Sequence, residues 1–150
     1  MRIAVWLHLL STIVWVGGMF FAHVALRPAA QQLPPPQRLA LMAATLATFF
    51  RWGGAAVAII IVTGFMMIFG AGGFARFGAH VHAMSALGLL MAAIYGFIVA
   101  VPYPRVRAGV DAGQWEAAAA ALAQVRRLVG VNLILGLITV TVAVLGRGVA

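Results

Sequence analysis

Two histidines occupy matching positions in long uncharged segments. His8 lies five residues after the start of segment 3–26, and His82 lies five residues after the start of segment 77–104. If both segments are helices that run in the same direction, the two imidazoles reach nearly equal depth. Two imidazoles at one depth in a helical bundle can supply the axial ligands of a haem iron. The alternative interpretation is that each histidine hydrogen-bonds within its own helix or extends toward water.

Small and polar residues recur at helical spacing from both histidines. Trp15 follows His8 on one face, and Ser85 follows His82 on another, each among small side chains. Such faces let helices approach closely or leave room for a flat macrocycle, so Trp15 and Ser85 are candidate cofactor contacts. Asn132 is a further candidate, although an amide inside a helical bundle more typically bonds to a neighbouring helix.

The other two histidines fit this pair less well. His80 lies two residues before His82, about 200° around a helix, so the two cannot face the same point. We expect His80 at the start of its helix or in the preceding loop. His23 follows His8 by 15 residues, roughly 22 Å along a helix, which places it at the opposite end.

Methionines near the same end offer a second chemistry. Met66, Met67 and Met84 fall close to the predicted depth of His8 and His82. Thioether sulfur combined with imidazole nitrogen suits cuprous copper, whereas methionine is also ordinary packing material. The copper alternative uses His8, His80, His82, Met66, Met67 and Met84.

Four uncharged segments must position these residues. They are 3–26, 52–75, 77–104 and 128–146, in a chain that is 65% hydrophobic and 8% charged. About 20 apolar residues in a helix cross a bilayer. The chain is therefore predicted to be an all-α polytopic membrane protein, an antiparallel four-helix bundle in a single membrane domain over residues 1–150. The predicted spans are about 3–26, 50–70, 79–101 and 125–146.

Two local patterns predict where helices end and begin. Pro102 and Pro104 should end the third helix, and Asp111 with Gln114 resembles a capping box that opens the last helix.

Arginines predict the orientation of the bundle. The net charge of +8 comes from ten arginines against only Asp111 and Glu116. The end with both termini holds Arg2, Arg76 and Arg147, and the other end holds the remaining seven. The positive-inside rule then places both termini on the outer side of a bacterial-type inner membrane.

The charge pattern also argues against some classes of function. The arginines flank hydrophobic spans instead of forming a stripe, which argues against nucleic-acid binding. With no cysteine and no acid in the spans, thiolate sites and carboxylate proton relays are excluded.

Two segments resemble a known membrane family. WLHLLSTIVWVGGMFF, with His8 and Trp15, resembles the first helix of the copper resistance protein D (CopD-like) family, and VNLILGLITV resembles its last. The first helix is also similar to that of HemJ-type four-helix haem proteins, whose third helix has a histidine-alanine-lysine stretch resembling His82-Ala83-Met84. This resemblance implies a b-type haem held by His8 and His82, although Met84 replaces the lysine. The CopD-like name implies copper instead.

Three hypotheses follow. The first is a small cytochrome b-like membrane oxidoreductase that exchanges electrons with quinone or a small oxidant through haem b, while its catalytic residues are unknown. The second is a copper-binding or copper-transport protein, and the third is a structural bundle. Membrane lipid surrounds the chain in each case, and Gly- and Ala-rich faces allow a homodimer.

Overall fold

Four long helical segments make up the molecule. The computed structural model describes residues 1–146, so Arg147 lies outside the described residues. Its helices are α1 (Arg2–Phe21), a π-helical turn (Ala22–Leu26), α2 (Arg27–Ala30), α3 (Pro35–Gly70), a 3-10 turn (Phe74–Arg76), α4 (Ala79–Ala100), α5 (Pro102–Asp111) and α6 (Trp115–Leu145). The segments Arg2–Ala30, Pro35–Gly70, Ala79–Asp111 and Trp115–Leu145 are each long and apolar enough to cross a membrane. The all-α, four-span fold class is confirmed.

The bundle consists of two helix pairs. Helix α1 packs mainly on α3, whereas α4 and α5 pack on α6, with smaller α1–α6 and α3–α4 contacts between the pairs. Met1 lies near Gly70, and His80 lies near Gly146. Both termini of the described chain and the loop 71–78 therefore meet at one end, which we term the histidine end. The loops 31–34 and 112–114 form the other, the arginine end.

Two helices exceed the thickness of a bilayer. Helix α3 has 36 residues and α6 has 31, which correspond to roughly 54 and 46 Å against a hydrocarbon core of about 30 Å. Their additional turns extend toward the arginine end, where α5 packs on the first part of α6. Gly109 permits this contact, since a Cβ there would lie 2.9 Å from the backbone nitrogen of Ala118.

The turn between the third and fourth segments differs from the sequence prediction. Helix is interrupted at Val101, and Pro102 is the first residue of helix α5. Proline suits this position because the first N–H groups of a helix have no partner within the helix, so the missing N–H of proline costs nothing there. Asp111 is the last residue of α5 instead of a cap for α6. Gly113 turns the chain with φ +67, and α6 begins after Gln114 without a side-chain cap bond. The capping box was a wrong prediction. Helix α4 does end just before Pro102, at Ala100, but a further helix, α5, begins at Pro102 itself.

The apolar core lies mainly in the half of the bundle near the arginine end. Phe50, Ile98, Val106 and Val125 are buried there with their neighbours. Large apolar side chains elsewhere on the helices are exposed in the isolated chain, as expected of lipid-facing surfaces. These include Ile3, Ile13, Val62, Phe69 and Val144. Toward the histidine end the core gives way to a cavity.

Candidate metal site

A cavity of about 330 Å³ opens between the helices at the histidine end. Residues of α1, α3, α4 and α6 line it, and most are apolar. Glycines at positions 64, 88 and 136 contribute to the lining, so that little side-chain volume fills the space. Its nitrogen, oxygen and sulfur side chains are those of His8, Thr12, Trp15, Met67, His80, Met84, Ser85, Met91 and Thr139.

His8 is held in one orientation by the neighbouring helix α3. Its Nδ1 lies 3.0 Å from Oγ1 of Thr63, and Thr63 itself donates to the carbonyl oxygen of Ile59. Because that hydroxyl proton is already used, Thr63 accepts the Nδ1–H of His8. The Nε2 of His8 then keeps its lone pair, which is the form in which histidine binds a metal.

His80 lines the same cavity from the first turn of α4. It is half-buried, and two glycines give it room. A Cβ on Gly78 would lie 3.1 Å from Nδ1 of His80, and one on Gly146 would lie 2.5 Å from its Cβ. The C-terminal end of α6 thus packs directly on His80. The structure places His8 and His80 in the lining of one cavity.

His82 lies on a different face of α4. Its side chain is exposed, its Nδ1 donates to the carbonyl oxygen of Gly78 at 3.2 Å, and its ring packs on Phe74 with centroids 5.4 Å apart. It is not part of the cavity lining. The structure therefore does not bring together the predicted axial pair of His8 and His82, because a two-residue step rotates the side chain by about 200°. Haem ligation by that pair stays a prediction.

The methionines divide in the same way. Met67 and Met84 line the cavity, whereas Met66 is 59% exposed and does not. Met91, which is 3% exposed, also lines the cavity, and its sulfur accepts a hydrogen bond from Thr139. The cavity thus presents two imidazoles and three thioethers. Among residues 1–146, no group of three or more His, Cys, Asp or Glu side chains could hold a metal by itself. The methionine sulfurs are the soft ligands that the lining adds to the two imidazoles.

The remaining predicted contacts are split between the cavity and the core. Trp15 and Ser85 line the cavity, and Ser85 donates to the carbonyl oxygen of Val81 at 2.8 Å. Asn132 is 1% exposed and lies outside the lining. Its Nδ2 donates to the carbonyl oxygen of Met91 at 3.2 Å, while its Oδ1 is buried without a partner in the described part of the chain. Asn132 therefore links α6 to α4.

His23 lies in the π-helical turn Ala22–Leu26. The sequence predicted that it lies at the opposite end of its helix from His8. A Cβ on Gly130 would lie 3.2 Å from its Cε1, so His23 packs against α6. It does not line the cavity.

Thr63 and Met91 are residues at the site that the sequence did not identify. Thr63 bonds to its own helix backbone, but its contact with His8 joins residues 55 positions apart. Only the packing of α1 on α3 creates that contact, and no local pattern signals it.

Comparison with known families supports the resemblance seen in the sequence. The family model described as Copper resistance protein D matches residues 43–145, which include Met67, His80 and Met84. The first helix, with His8, lies outside the matched residues. Comparison with curated proteins and with solved structures gave no match. The relation to HemJ-type proteins stays a prediction. Since the match covers more than half of the chain, the protein belongs to the copper resistance protein D family.

Proposed function

We propose that this protein binds cuprous copper inside the membrane, as part of copper handling. Its ligands would come from His8, Met67, His80 and Met84, which line one cavity. The observation that carries the proposal is that two imidazoles and the thioethers of Met67 and Met84, from α1, α3 and α4, line the same cavity. The name of the family, copper resistance, points to the same metal.

The chemistry of these four residues favours Cu(I) over other metals. Thioether sulfur is a soft ligand that selects Cu(I), whereas Mg²⁺, Ca²⁺ and Mn²⁺ prefer carboxylates and carbonyl oxygens. The only acidic side chains of the chain, Asp111 and Glu116, lie near the arginine end. A monovalent ion also carries a smaller desolvation cost into an apolar cavity than a divalent ion does.

The uneven distribution of arginines between the two ends of the bundle supports entry of copper from outside the cell. Seven of the ten arginines fall at the arginine end or beside it, and the positive-inside rule places that end in the cytoplasm. The histidine end, with the cavity, then faces the outer side of a bacterial-type inner membrane. Copper would reach the cavity from that side.

Met66 and Met67 are adjacent in the chain, and only Met67 lines the cavity, so the pair gives a matched test of copper binding. The purified chain in detergent would be titrated with Cu(I) under reducing, anaerobic conditions against a chromogenic chelator. We expect a single Cu(I) per chain and a weaker affinity in Met67→Leu, because a thioether ligand is lost from the cavity. Met66→Leu, the control outside the cavity, should bind as the unmodified protein does. Absence of copper from the loaded protein, or equal losses in both variants, would contradict the proposal.

Haem b with His8 and His82 is the alternative, in which the protein exchanges electrons with quinone or another redox partner. It predicts a Soret band in protein expressed with ample haem, and the loss of that band in His82→Ala. The third hypothesis, a structural bundle, predicts neither copper nor haem, with unchanged thermal stability in a His8→Leu, His82→Leu double variant. The absorption spectrum and the copper titration together distinguish the three.

A further inference from the structure

A second cavity, of about 300 Å³, lies at the arginine end, away from the histidines. It is formed where α2, the start of α3 and the first half of α6 meet. Its polar lining consists of Arg27, Gln31, Arg38 and Arg126. Ala30, Leu39, Met42, Ala119 and Leu122 supply the apolar part.

Three like charges meet in this cavity without an acid in its lining. Arg27, Arg38 and Arg126 all line the same cavity of about 300 Å³, so their positive charges lie close together. The chain has only two acidic residues, Asp111 and Glu116, and neither lines the cavity. Like charges held close together are destabilising unless an opposite charge offsets them. An anion would offset all three.

Arg27 also has an unused hydrogen-bond donor. Its Nε is buried and has no partner among the described residues. A buried donor without a partner costs free energy, and an absent ion is one of the usual reasons for finding one. The guanidinium is a planar fork of N–H donors that matches the oxygens of a phosphate group.

The backbone just before Arg27 departs from regular α-helix. The π-helical turn Ala22–Leu26 directly precedes Arg27, and such turns inside α-helices are frequent at functional sites. His23 within this turn packs against Gly130, one helical turn after Arg126. The π-helical turn is thus fixed against the helix that carries the third arginine.

We propose that this cavity is a binding site for a phosphate group, held by Arg27, Arg38 and Arg126. The group could belong to an anionic phospholipid headgroup or to a soluble phosphate. Two features suit the lipid: the cavity lies where the uncharged segments end, and Leu39, Met42 and Leu122 provide an apolar wall. Basic pockets between membrane helices are known to take anionic headgroups.

Thermal unfolding of the full chain in neutral detergent tests this site. The probes are phosphatidic acid, phosphatidylcholine and inorganic phosphate, each added separately. We expect phosphatidic acid to raise the unfolding temperature by roughly 5 °C near saturation, and phosphatidylcholine to have little effect. Stabilisation by inorganic phosphate as well would support the site and assign it to soluble phosphates. Equal effects of the two lipids, or no effect of either anion, would overturn it.

Two variants within the cavity and one control outside it separate binding at this site from a general effect of positive charge. Arg38→Gln should abolish the stabilisation by phosphatidic acid, and should be the more stable protein without any anion because repulsion is relieved. Arg126→Lys keeps the charge but loses the fork, so it should retain only part of the effect. Arg107→Gln, at an exposed arginine outside the cavity, should behave as the unmodified chain. If Arg107→Gln loses the effect as fully as Arg38→Gln, the attraction is general and the site is wrong.

Discussion

Thr63 contacts the imidazole of His8 across the α1–α3 interface, 3.0 Å from Nδ1. Partners that bond to the far nitrogen of a metal-binding histidine set its tautomer and raise its affinity for the metal. Thr63 can have this effect only if His8 binds through Nε2. Its contribution to copper binding can therefore be measured without touching any proposed ligand.

We expect Thr63→Val to weaken Cu(I) binding by about 10- to 100-fold, the usual effect of losing such a partner. Thr63→Ser keeps the hydroxyl and should retain most of the affinity. The measurement is competition with a Cu(I) chelator on purified protein. An unchanged affinity in Thr63→Val would show that His8 does not bind copper through Nε2.

For individual residues, the sequence identified the side chains that could bind a metal better than it identified which of them lie together. It picked His8, Met67 and Met84, but it also picked Met66, which lies outside the cavity, and it missed Met91. It noted that His80 and His82 cannot share one point. It chose His82 as the partner of His8, whereas His80 is the one that lines the cavity with His8. Which of the two does so depends on the rotation of α4 about its axis. The packing of Gly146 and Gly78 around His80 fixes that rotation, and neither contact is visible as a local pattern.

Helix α5 is the element that covers the long helices at the arginine end. Val106 and Tyr103 are buried between α5 and its neighbours, and Gly109 brings its backbone close to Ala118 of α6. Close packing of this kind leaves no space for an additional methyl group.

Gly109→Ala should therefore destabilise the protein by about 1–3 kcal/mol, since its Cβ would overlap the α6 backbone. Gly96→Ala is the matched control, because nothing lies within 4 Å of a Cβ at that position. The control should be neutral or more stable by up to about 1 kcal/mol, as alanine favours helix. Thermal unfolding in detergent would compare them. A neutral Gly109→Ala would contradict the close α5–α6 contact.

Element boundaries were predictable where charge and hydropathy decide them. Most of each uncharged segment falls in one of the four helical segments, because both length and apolar composition require helix in a bilayer. Local patterns failed at the turn 101–114. Pro102 both breaks and begins a helix, and the capping motif at Asp111 is overridden by the left-handed turn at Gly113.

The whole molecule is polarised, with a proposed copper site at one end and an arginine-rich cavity at the other. Its orientation in the membrane would set the side from which each ligand arrives. The chain has no cysteine, so single cysteines can report that orientation without interference.

We expect Ala75→Cys, in the loop at the histidine end, to react with a membrane-impermeant thiol reagent in intact cells. Gln32→Cys, in the loop at the arginine end, should react only after permeabilisation, because the positive-inside rule places that loop in the cytoplasm. Both positions are exposed. The reverse pattern would place the copper site on the cytoplasmic side.

The central claim is that His80, and not His82, joins His8 at the metal site. Cu(I) affinities of His80→Ala and His82→Ala, measured by the same chelator competition, test it most directly. These histidines are two residues apart on one helix, so a general effect of losing an imidazole would appear in both variants. The proposal predicts a clear loss of affinity in His80→Ala and an unchanged value in His82→Ala. Loss in His82→Ala alone, or in neither variant, would contradict it.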